Sequence, residues 1–130
     1  MERQVAQVDY VIVGLFAFLG SNARYYLGMW LPKLGVFPIG TLVVNLIGCF
    51  LFTWLVKHIL VDQKINGRLI LGIGTGFFGA FTTFSSFAID SVNLMRGNYW
   101  LLAVVYLVCS ICGGLLMAFL GDKLGGMSRD

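Results

Sequence analysis

The chain has 130 residues, 58% of them hydrophobic and only 12% charged, with a formal net charge of +3. Soluble domains carry about twice that share of charge, and the mean hydropathy of +0.87 makes a bilayer the expected solvent, which excludes a soluble enzyme. A span takes roughly 20 apolar residues, so four spans use about 80–90 of them; no soluble domain fits beside them, and a transport path is expected to need more than one subunit.

Taken in chain order, the predicted fold is all-α and integral to the membrane, a single four-span domain over residues 1–130. The spans are expected at about 8–31, 40–60, 68–95 and 99–120. The opening MERQVAQVDY lacks a basic start and a small-residue cleavage site, so the first apolar run is expected to be retained. It ends at Pro32, and PKLGVFP reads as a structured loop because each proline disfavours helix just before it. The loop DQKING at 62–67 carries a turn-forming Asn66-Gly67 pair, Arg96-Gly97-Asn98 makes the next reversal, and GDKLGGMSRD is a solvated tail. Cys49, Cys109 and Cys112 all lie inside apolar runs, where they read as small packing residues and not as a disulfide, zinc or redox set. His58 stands alone, and no metal role is expected of it.

The third segment differs from the others. Its centre reads GIGTGFFGAFTTFSSF. The Gly72 to Gly76 spacing suits close helix approach. Thr82, Thr83, Ser85 and Ser86 follow, interleaved with Phe81, Phe84 and Phe87. Hydroxyls at mid-membrane satisfy backbone groups released by a helix break, and a break is tolerated only where it is buried or lines a polar cavity. A third helix broken at mid-membrane is therefore expected. Such a break exposes carbonyls suited to a cation and amides suited to an anion.

Other polar residues stand within the spans: Asn45 in TLVVNLIG, Tyr106 and Ser110 on the last span, and Asp90 and Asn93, which follow the break toward the interface. Asn45 reads equally as glue between helices or as part of a path. Arg24, near the end of the first span, either snorkels to the headgroups or joins the polar set.

GTLVVNLIG at 40–48, GFFGAFTTFSSF at 76–87, and Gly20 with Arg24 together resemble the signature of the Fluc (CrcB-type) fluoride channels. The likeness covers essentially the whole chain. It implies a fluoride-selective channel that exports fluoride from the cytoplasm down its electrochemical gradient and lowers fluoride toxicity, with no enzymatic activity. It further implies a multi-pass cell-membrane protein assembled as an antiparallel dimer, with two fluoride pores and a structural sodium ion at the dimer axis. On that resemblance Asn45, Phe84, Phe87, Ser86, Tyr106 and Ser110 fall on the fluoride pore. Gly79 and Thr82 fall on the sodium through their backbone carbonyls, and Arg24 and Thr83 on structural polar positions. The chain departs from the family pattern with Gly-Ala-Phe at 79–81, Ser86 in place of Thr, Asp90 in place of Glu, and Gly114 in place of a second track Ser.

The chemistry agrees with that expectation. Conduction needs sites that bind well enough to admit an ion and weakly enough to release it. An amide and hydroxyls are milder donors than lysines, and aromatic rings carry a positive edge. Without the resemblance, Phe84 and Phe87 at i, i+3 would read as ordinary packing. A coupled exporter of the small multidrug-resistance kind needs a carboxylate deep in the first span, whereas here only Asp9 stands at its entrance. A non-conducting tetraspan partner protein leaves Asn45 and the hydroxyl cluster unexplained.

Orientation follows the Lys/Arg bias of short loops. The side of the termini carries Arg3, Lys57, Lys64, Arg68, Lys123 and Arg129, against Lys33 and Arg96, with Arg24 as a third. This bias favours cytoplasmic termini. It leaves two dimers open: a self-pairing, dual-topology homodimer, or a heterodimer with an oppositely inserted paralogue.

Overall fold

The computed structural model describes residues 1–56, 58 and 65–127. Lys57, Lys64, Arg129, the first half of the 62–67 loop and the end of the expected 40–60 span lie outside the described residues.

The described residues are helical, with loops between the helices. Helix α1 covers Glu2–Trp30, α2 Ile39–Leu55 and α6 Trp100–Met127. Between α2 and α6 lies a composite third span: α3 (Gly67–Leu71), a π-helical stretch (Gly72–Phe78), α4 (Gly79–Phe81) and α5 (Phe84–Arg96). Glu2–Trp30, Gly67–Arg96 and Trp100–Gly126 are long and apolar enough to cross a membrane, and Ile39–Leu55 is a shorter apolar helix.

Local sequence sets the ends. Leu31 turns extended ahead of Pro32 and stops α1. The loop then folds tightly, with Phe37 N–H donating to the Leu34 carbonyl at 3.1 Å. Gly35, at φ +58, supplies the left-handed residue this turn needs. Asn66 caps α3 by accepting from Arg68 N–H at 2.9 Å. At the far end of α5, Asn98 takes φ 63. Tyr99 N–H bonds to Leu94 O and Asn98 N–H to Met95 O, so a Schellman motif closes the helix with Asn in place of the usual Gly.

Two seams bring backbones together. On α1, a Cβ at Gly20 would collide with the backbone of Phe77, and one at Gly76 would meet the Val13 carbonyl. The small-residue reading of Gly72 to Gly76 therefore describes where α1 seats. A second seam pairs α2 with α6, where a side chain at Gly121 would strike Thr53 and the Phe50 carbonyl. Between the seams sit two buried clusters, Val44 with Phe78 and Phe81, and Leu42 with Leu94, Ala103 and Tyr106. An i→i+5 ladder leaves no mark in hydropathy or small-residue spacing, so the π-helical stretch is legible only in the structure.

Candidate pore groove

The helix break falls at Thr82–Thr83, midway along the third span. Both residues are extended, Thr82 at φ −82, ψ 156 and Thr83 at φ −145, ψ 114. An open backbone inside an apolar span must find partners, and it does so through side chains. Thr83 N–H donates to Asn45 Oδ1 at 2.8 Å, and Asn45 Nδ2 donates to the Thr83 carbonyl at 3.1 Å. Because Thr83 N–H can only donate, the orientation of the Asn45 amide is fixed. Thr83 Oγ1 then caps α5 by accepting from Ser86 N–H at 3.2 Å, and it donates to Ser86 Oγ at 3.1 Å. Thr82 Oγ1 folds back onto the Phe78 carbonyl at 2.8 Å.

These bonds divert two amides from their ordinary helical acceptors. Thr83 N–H would otherwise bond the Gly79 carbonyl, and Ser86 N–H the Thr82 carbonyl. The break thus releases the carbonyls of Gly79 and Thr82, the pair expected to meet a cation.

A groove of about 290 Å³ opens beside the break, lined by Asn45, Thr82, Thr83, Phe84, Phe87 and Ser110, with Cys49 and Ile111. Four of the expected pore residues, Asn45, Phe84, Phe87 and Ser110, therefore share one surface. The two rings lean on each other with centroids 5.6 Å apart. Phe84 is 80% exposed, while Phe87 packs on Tyr106 at 5.5 Å. A second cavity, of about 260 Å³, holds Gly79 and Thr82 with Gly48, Cys49 and Phe78.

The remaining expected residues lie elsewhere. Tyr106 is fully buried, edge-on to Phe37, and its hydroxyl donates to Asp90 Oδ2 at 3.4 Å. It backs the Phe87 ring and does not line the groove. Ser86 and Arg24 line a cavity of about 210 Å³ on another side of Thr83, with Thr41. Cys49 and Thr41 went unnamed as site residues, although each stands four positions from Asn45 on α2 and so shares its face. Cys109 and Cys112 are free thiols on the exposed side of α6, not inside the chain, because α6 turns its glycines toward α2. Among the described residues no cluster of His, Cys, Asp or Glu suits a metal ion.

Residues 11–122 match the family described as "CrcB-like protein, Camphor Resistance (CrcB)". The chain belongs to this family. It is 45% identical over 118 residues to a protein of Bacillus cereus (strain ATCC 10987) named "Fluoride-specific ion channel FluC 1", a match covering 89% of this chain and 86% of that one. It is 45% identical over 115 residues to "Fluoride-specific ion channel FluC 2" of Listeria monocytogenes (strain EGD-e), covering 88% of each. Within the CrcB-like family, then, this chain holds an amide, two aromatic rings and a hydroxyl around a broken helix.

Proposed function

We propose that this chain is a fluoride-selective channel of the cell membrane, exporting fluoride passively from the cytoplasm. The observation that carries the reading is the groove in which Asn45, Phe84, Phe87 and Ser110 meet beside the break. Its lining offers neutral donors and ring edges, which bind an anion without trapping it. Asn45 has a second amide N–H beyond the one given to Thr83, and Ser110 adds a hydroxyl. Ser86 supplies a further hydroxyl from the adjoining cavity, and Tyr106 holds the Phe87 ring in place. Among the described residues, no lysine lines the groove.

The groove is open along one side, with Phe84 exposed at its rim, so a second subunit is needed to close the path. An antiparallel dimer of single four-span domains supplies that wall twice, giving two paths. The released carbonyls of Gly79 and Thr82 fit a sodium ion at the dimer axis, where hard oxygen donors suit a hard cation. When bound, the ion would tie the two breaks together; full replacement of sodium by a bulky organic cation is expected to lower flux. The Lys/Arg bias favours cytoplasmic termini, and it supports either pairing with an oppositely inserted paralogue or a self-pairing dimer. Reporters fused to the C-terminus separate the two, since a dual-topology chain gives signals from both sides.

A coupled exporter finds no support. The first span's acid, Asp9, is engaged by Arg68 Nε at 3.0 Å, far along the chain from the break. The test is anion flux from liposomes holding purified protein: fluoride is expected to leave and chloride to stay. Equal flux of both ions, or none, would overturn the reading.

A further inference from the structure

We propose that Lys33 is an electrostatic guide at the mouth of the ion path, raising the rate at which fluoride reaches the break. The inference rests on the channel reading and adds a residue to it. Lys33 stands in the α1–α2 loop, whose backbone is held by Pro32, the Gly35 turn and Pro38. It lines a cavity of about 240 Å³ with Thr41 and Asp90. Gly28, Gly40 and Thr41 line that cavity and also the adjoining one of about 210 Å³, which holds Arg24, Thr83 and Ser86. Thr83 in turn borders the groove. The loop surface and the two cavities thus adjoin one another through shared walls and end at Thr83, the N-cap of α5, whose other side borders the groove.

The charged groups facing this route are Lys33, Asp90 and Arg24. Lys33 has no ion-pair partner among the described residues, whereas the Asp90 carboxylate accepts from Tyr106. With Lys33 the route carries one net positive charge; without it, Asp90 offsets Arg24. Narrow, low-dielectric clefts focus such a field and concentrate counter-ions. A lysine ammonium is a strongly hydrated point charge on a flexible stem, so at an exposed loop it attracts an anion without binding it firmly.

The test compares fluoride flux through the wild-type channel and the Lys33→Gln, Lys33→Glu and Lys33→Arg variants at subsaturating fluoride. It is run at about 10 mM and about 1 M of an impermeant salt, where the screening length falls from about 30 Å to about 3 Å. At low salt, flux is expected to fall about twofold in Lys33→Gln and about fivefold in Lys33→Glu, with Lys33→Arg unchanged. At high salt all four should converge. Equal flux at low salt, or a loss that persists at high salt, would overturn the role of Lys33 while leaving the channel reading intact. A wild-type protein that passes no fluoride would overturn both.

Discussion

The two halves of the third span are stabilised by opposite means. At Gly72 and Gly76 the third span presents bare backbone, against which Ile12 and Phe16 of α1 and the Val13 backbone pack directly. From Thr82 to Ser86 the backbone leaves the helix, and polar side chains hold nearly every bond. The first half gains stability from dispersion at close range, which fails when atoms are added. The second half gains it from satisfied hydrogen bonds, which fail when a partner is removed. A membrane span can therefore carry a polar irregularity when one end is clamped tightly enough to hold the other in register.

The largest expected effect is on the polar half. Asn45→Asp removes the donor to the Thr83 carbonyl and puts negative charge in the proposed anion path; flux is expected to fall at least about 100-fold. Asn45→Ala leaves both the N–H and C=O of Thr83 without their partner, at about 1–3 kcal/mol each. Its melting temperature in detergent should drop with its flux.

The apolar half is broken by addition. Gly20→Leu drives a side chain into the Phe77 backbone and should cost about 3 kcal/mol or more, read as lost stability to denaturant. Gly14→Ala, on the same helix but facing open space, should change stability by less than about 1 kcal/mol and never in the unfavourable direction. Equal losses in the two variants would show that the seam is not where α1 is held.

Two smaller effects sharpen the comparison. Phe84→Ile and Phe87→Ile retain bulk but remove the ring edge, so flux should fall about tenfold while the assembled protein elutes unchanged from a sizing column. Thr83→Val removes the α5 cap at about 1 kcal/mol, with a correspondingly small drop in melting temperature.

Much of this contrast could be read from the residues. Four hydroxyls within five positions, 82–86, announce a break because a lipid-facing helix has no use for them. Gly72 and Gly76 announce a close approach for the same reason of size. What fastens the break could not be read. Asn45 and Thr83 are 38 residues apart, and nothing local says that α2 crosses the third span at that height. The burial of Tyr106 was hidden differently: α6 is apolar all round, so its periodicity does not say which face turns inward. The separation of Ser86 and Arg24 from the groove depends on Thr83 standing between the two spaces, a feature of tertiary packing alone.

The central claim is that fluoride crosses passively through the groove beside the break. Its most direct test is fluoride efflux from potassium-loaded liposomes, followed with a fluoride electrode, with and without a potassium ionophore. Passive conduction builds a voltage that stops efflux, so rapid release is expected only when the ionophore is added. Efflux that proceeds unchanged without the ionophore, or that requires a proton gradient, would contradict the account.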